Sequence, residues 1–132
     1  MFENLEVFRI SGAMAVHAGQ KQAVAAENVA NSDTPGFKAR SIAPFDEAYT
    51  QDLSRPDAST LRSTRSTHLH GAVDGRLGAP EIDENAIAAP NGNTVSLENE
   101  MLKSLDAKRQ HDRALAIYKS SISVLRSTLS RS

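Results

Sequence analysis

Asn28-Val29-Ala30-Asn31-Ser32-Asp33-Thr34-Pro35-Gly36-Phe37-Lys38-Ala39-Arg40 is the stretch that decides how this chain folds. It closes a long Ala-rich helical pattern and turns the chain sharply into an extended segment. Asn31 is a residue type that takes the left-handed conformation past a helix end, and Ser32, Asp33 and Thr34 offer side chains to the freed backbone groups. Pro35-Gly36 matches the two central positions of a type II turn, where Pro presets φ and Gly accepts φ > 0. An ordinary helix stop accounts for the Pro and the Gly. It does not account for the whole string.

Upstream of the turn the pattern predicts one helix over Asn4 to Asn31, with no internal Pro. Leu5, Phe8, Gly12, Ala15, Val16, Gly19, Ala23, Ala26 and Ala30 recur at helical spacing and define the expected packing face. Most are small, so a partner helix is expected to approach closely. Val7, Ile10, Met14 and Val24 lie elsewhere on the circumference, and a helix apolar on most sides is normally buried on several of them.

At the other end, Ser96 to Leu129 carries the clearest periodicity. Leu97, Met101, Ser104, Lys108, His111, Leu115, Tyr118, Ile122, Leu125 and Leu129 alternate by four and three residues, an a/d seam of nearly five heptads. Ser96 is placed to cap the helix, Glu98 and Glu100 fall in its first turn, and Arg126 lies near its end. At 1.5 Å per residue such a helix runs ~50 Å, longer than a small domain ordinarily uses.

Residues 32–95 read as irregular. Phe37 to Ile42 predicts a short strand, and Phe45, Tyr49 and Leu53 predict two or three helical turns after Pro44. Ser54 to Thr67 has Ser, Thr, Arg and Pro56 without periodicity, the composition of a linker. Asn91-Gly92 marks a turn ahead of the last helix.

Of the 132 residues, 39% are hydrophobic and 5% aromatic, and the apolar ones crowd into the two ends. The net charge of −1 points to no nucleic acid and no anionic membrane. It is distributed unevenly: about −1 over residues 1–31, −3 over 32–95 and +3 over 96–132. There is no Cys, so disulfides and thiolate metal sites are excluded. The first residues lack a basic n-region and a continuous apolar run, so no cleavable signal peptide is expected, and no run reaches the ~20 apolar residues of a membrane span.

Catalytic chemistry is nearly absent. His68 and His70 are two residues apart, and imidazoles so spaced share a metal only on a strand with a third ligand from elsewhere; an exposed pair is the simpler reading. His17 and His111 sit where helix seams tolerate a polar residue. Asp83-Glu84 and Glu98/Glu100 have no matching base and read as solvated surface and helix start. No phosphate loop, dinucleotide fingerprint or Ser-His-Asp ordering occurs. No cofactor is expected, and no enzyme.

The turn string resembles the Asn-x-Ala-Asn-x-x-Thr-Pro-Gly-Tyr/Phe-Lys signature of the flagellar rod and hook family of axial proteins, which carries it about thirty residues from its start. The matching positions are Asn28, Ala30, Asn31, Thr34, Pro35, Gly36, Phe37 and Lys38. Gly92-Asn93-Thr94-Val95-Ser96-Leu97-Glu98, leading into the last helix, is similar as well, and the short middle resembles the short proximal-rod members rather than the hook and distal-rod ones. The resemblance implies a mainly α fold. Long terminal helices, residues 1–31 and 96–132, pair as a coiled coil and form one discontinuous domain, with the short β-containing segment 32–95 held outside. It implies a structural subunit of the basal-body rod, exported without a cleaved signal through the flagellar export apparatus and residing in the rod where that spans the periplasm. Its partners would be copies of itself and neighbouring rod and basal-body proteins, without membrane insertion. Leu5, Phe8, Ala15, Leu97, Met101, Leu115, Tyr118, Ile122, Leu125 and Leu129 are the expected assembly residues. Three readings compete: a sister member among the short proximal-rod proteins, a cytosolic helical adaptor that takes a partner's helix in a groove, and, more weakly, a small metal enzyme using His68 and His70.

Overall fold

The computed structural model describes residues 2–54 and 77–129, with side chains described at 6–51 and 77–129. Helix α1 spans Phe2–Ala30 and helix α3 spans Leu97–Leu129, with α2 at Phe45–Ser54 and two short strands, β1 at Arg40–Ser41 and β2 at Glu81–Ile82, between them. The long helices pair antiparallel. Asn28 meets Glu100 at 2.9 Å, His17 meets Gln110 at 3.4 Å, and the Phe8 ring sits edge-on to Tyr118 with centroids 5.2 Å apart.

Most of the residues turned inward are small, and they recur every seven positions. Ser11, Ala18 and Ala25 are buried on α1, and Glu100, Ala107 and Ala114 on α3. Side chains no larger than a methyl or hydroxyl let two backbones approach closely, so most of this contact is made without large apolar groups.

The predicted packing face of α1 is corrected by this arrangement. Val16, Gly19, Ala23, Ala26 and Ala30 are exposed, whereas Val24, placed elsewhere by the periodicity, is buried. Phe8 and Ala15 are half-buried at the edge of the contact; the Leu5 side chain lies outside the described ones. The physical reason is that the inward stripe includes Ser11, His17 and Asn28, which a count of apolar residues passes over. On α3 the side facing α1 is displaced by about one position from the predicted a/d seam. Leu97, Met101, Leu115, Tyr118 and Leu129 are exposed, and Ile122 and Leu125 are half-buried.

The middle folds against the start of this pair. β1 and β2 form an antiparallel two-stranded sheet with Arg40 opposite Ile82 and Ser41 opposite Glu81. Of the strand expected over 37–42, only Arg40–Ser41 is extended in a sheet; α2 follows Pro44 as its spacing indicates. Ala39, Ile42, Ala48 and Leu77 are buried with Val24. Phe45 packs between the rings of His17 and Tyr49, at 5.6 and 5.4 Å. His68 and His70, and the linker reading of residues 55–67, lie outside the described residues.

Candidate assembly site

The helix stop at the turn motif is built from successively tighter bonds. Asn31 N donates to Glu27 O (3.2 Å) and Asn28 O (3.1 Å), Ser32 N donates to Val29 O (3.2 Å), and Thr34 N donates to Asn31 O (3.0 Å). This tightening to i→i+3 bonds ends α1 without any left-handed residue. Among the described residues only glycines have positive φ, so the left-handed conformation expected of Asn31 is not adopted. Its side chain instead bonds back, Nδ2 to Glu27 O at 2.8 Å. The type II turn is present: Gly36 has φ +74°, and Phe37 N donates to Thr34 O at 3.3 Å.

A second strand of sequence, some sixty positions later, closes on this turn. Gly36 N donates to Asn91 O at 3.0 Å, Thr94 N to Phe37 O at 3.0 Å, and Ala39 N to Thr94 Oγ1 at 2.8 Å. Asn93, almost wholly buried, is the hub of the clasp. Its Nδ2 lies within 2.8–2.9 Å of the carbonyls of Asn31, Ser32 and Thr34, just past the end of the helix, where no further turn of helix follows to bond them. Its Oδ1 accepts from Val95 N at 2.7 Å, so one side chain ends α1 and sets the entry into α3. Gly92, at φ +79°, passes so close that an added Cβ would lie 3.4 Å from Gly36 Cα. Lys38 reaches Gly92 O at 3.5 Å from the surface.

Below the clasp, Asn28 joins three elements. Its Oδ1 accepts from Arg40 N (3.0 Å) while its Nδ2 donates to Arg40 O (2.8 Å), as a neighbouring strand would. The other amide hydrogen goes to Glu100 Oε2. Glu100 is therefore not solvated helix-start surface, as its position suggested, but buried and fully bonded. Its second oxygen takes Lys103 Nζ at 2.8 Å, and Lys103 also reaches Asp83 at 3.4 Å. Burial alone would lower the Lys103 pKa, but the bond and charge of Glu100, with Asp83, outweigh it and raise it.

His17 is a packing residue of the same kind. It is fully buried, with Nε2 donating to Ala43 O at 2.9 Å, which leaves Nδ1 to accept from Gln110 at 3.4 Å. Burial pushes its pKa down, against the Ala43 bond, and Lys21 adds to the lowering. The neutral ring is the folded form. His111 is different: its side chain is half-exposed beside Asp112, not packed in a seam.

The arrangement holds shape through its hydrogen bonds. Among the described residues no three His, Asp or Glu side chains gather as a metal site, and no helix is long and apolar enough to cross a membrane. The motif residues Asn28, Asn31, Thr34, Gly36, Phe37 and Lys38 come together in the clasp, with Pro35 exposed at its tip. Asn93 and Glu100 are joint residues whose bonding periodicity missed: Asn93 stood out only within the Gly92–Glu98 string, and Glu100 only as an acid in the first turn of α3. Outside the clasp stand exposed apolar side chains along both long helices, including Met101 (65% exposed), Leu102 (61%) and Leu129 (69%). A two-helix hairpin with a locked hinge and apolar outer faces is the form of a subunit made to pack against others.

Comparison with known proteins agrees. Residues 11–38, the last two thirds of α1 with the turn, match the family described as flagella basal body rod protein. The FlgB flagellar basal body rod protein of Agrobacterium fabrum (strain C58) is 30% identical, over 88% of this chain and 87% of its own length. The chain belongs to the flagellar basal body rod proteins, as a structural subunit and not an enzyme. Within that family, the similarity to this FlgB covers most of both chains.

Proposed function

We propose that this subunit builds the proximal part of the rod, joining copies of itself and neighbouring rod proteins through the outer faces of α1 and α3. The observation that carries the reading is the division of labour on α3. Its small residues Ala107 and Ala114 face α1, while Leu97, Met101, Leu102 and Leu105 are left in water. Exposure of that many bulky side chains along one helix is costly unless neighbours cover them. In this reading Leu5, Phe8, Ala15, Leu97, Met101, Leu115, Tyr118, Ile122, Leu125 and Leu129 contribute to subunit contacts. Residues 1–31 and 96–132 act as one assembly unit, with 32–95 bracing the hinge. Delivery through the flagellar export apparatus to the periplasmic rod fits a cysteine-free chain whose described core is mostly Ala, Ser and Asn, because so light a core unfolds at little cost.

The test is purification of basal bodies from cells carrying the tagged chain. Recovery of the tag in rods stripped of hook and filament supports the reading. A tag found only in soluble cytosolic complexes favours the adaptor.

A further inference from the structure

An open groove of about 880 Å³ runs between α1, α2 and the segment before β2. Val16, Gly19 and Ala23 form its floor, a third to half a turn round α1 from the α3-facing Ser11, Ala18 and Ala25. Ala48, Ala79 and Pro80 form its walls. Its charged lining groups are Glu47 and Glu81, and neither is ion-paired among the described residues. Gln20, also in the lining, has its Oε1 buried with no donor among the described residues. The surroundings reinforce the sign: residues 41–51 and 77–97 contain Asp46, Glu47, Glu81, Asp83 and Glu84 and no Lys or Arg.

The complementary surface is on the same molecule. From Arg113 to the end the chain has four basic residues and no Asp or Glu. Along one flank of α3, Leu115, Lys119, Ile122, Arg126 and Leu129 follow at spacings of four and three, so apolar and basic side chains alternate in a single ridge. Neither Lys119 nor Arg126 is ion-paired among the described residues. This ridge lies alongside the first turns of α1, as the Phe8–Tyr118 contact fixes, and α3 is one continuous helix. It cannot bend back to the groove at Val16–Val24 of its own chain.

We propose that the Leu115–Leu129 ridge of one copy docks in the Val16–Pro80 groove of a second copy. The apolar members fill the small-residue floor, and Lys119 and Arg126 face Glu47 and Glu81. Ridge and groove are different surfaces at different places on the subunit, so the contact is heterologous and propagates instead of closing. The proposal rests on the rod-subunit reading and names one of its self-contacts.

The test uses the full chain in motile cells. Glu47→Lys with Glu81→Lys, and separately Lys119→Glu with Arg126→Glu, are each expected to cut swimming at least tenfold, and the four changes together to restore it. Because the chain has no Cys, Ala23→Cys and Ile122→Cys in one chain provide a second readout. Oxidation of purified basal bodies should give disulfide-linked dimers and higher ladders on non-reducing gels. Incorporation of the double-cysteine chain without a ladder, together with no rescue by the four-fold swap, overturns the docking and leaves the rod reading standing. So does a link from Ala23→Cys to another rod protein. Absence of the wild-type chain from basal bodies overturns the rod reading itself.

Discussion

Asn28 and Glu100, seventy-two positions apart, share a buried hydrogen bond of 2.9 Å that ties the end of α1 to the start of α3. The same amide satisfies both backbone groups of Arg40, so one side chain fixes the two long helices and the first strand. Asn28→Leu strands the Arg40 N–H, its carbonyl and a carboxylate oxygen of Glu100, and each buried group left unpaired costs about 1–3 kcal/mol. The variant is expected to lose several degrees or more in thermal midpoint by circular dichroism. An unchanged midpoint would remove Asn28 from the joint.

Asn93 offers a sharper comparison, because its amide nitrogen faces three carbonyls. Asn93→Ala loses the cap, but Asn93→Asp points a carboxylate oxygen at those same carbonyls. The Asp variant is expected to be the less stable of the two in urea, at neutral pH, and to recover part of the difference in acid. The reverse order would show that the amide is oriented the other way.

Gly36 tests the turn. A Cβ there meets nothing within 4 Å, so a substitution is penalised by φ +74° alone. Gly36→Val should cost about 1–3 kcal/mol, since β-branched residues are strained at positive φ, and Gly36→Asn distinctly less. In cells the Val variant is expected to be exported yet fail to support motility. Full swimming with Val would contradict the need for the type II turn.

His17 sets a pH dependence. Its folded pKa lies below the ordinary 6.5, so above that value the ring is neutral in both states and its packing is fully effective. As pH falls below 6.5 the unfolded chain takes up the proton and the folded one resists it, so stability declines towards the lowered folded value. Thermal midpoints measured from neutral to about pH 5 should fall in the wild type and fall less in His17→Gln. Equal slopes would assign the acid sensitivity to other groups.

The two sides of α3 should respond oppositely. Ala107→Leu overfills the close contact with α1 and is expected to destabilise the purified protein by about 1–3 kcal/mol. Leu115→Asp places a charge on a side chain already 38% exposed, so the monomer should melt almost unchanged. Buried by a neighbour, the same charge costs several kcal/mol, and cells should lack filaments. Basal bodies containing the Leu115→Asp protein would remove that residue from the subunit contacts.

The sequence alone determined the elements and the turn. Two long helices followed from 3.6-residue periodicity without internal Pro, the break at Thr34-Pro35-Gly36-Phe37 from turn chemistry, and membership of the rod family from the motif that surrounds it. These are local properties, written in neighbouring residues. Only the tertiary structure decided which sides of the helices meet. The α1–α3 contact is made by Ser11, Ala18, Ala107 and Ala114 and fastened by His17, Asn28 and Glu100, residues that a hydrophobic pattern assigns to surface or ignores. A buried polar side chain is stable only where its partner waits, and the partners here, Arg40, Ala43 and Gln110, come from distant parts of the chain. The pairing of the turn with Asn91–Val95 was hidden for the same reason: Asn93 reads only as part of the string leading into α3 until the carbonyls at the α1 end are brought against it.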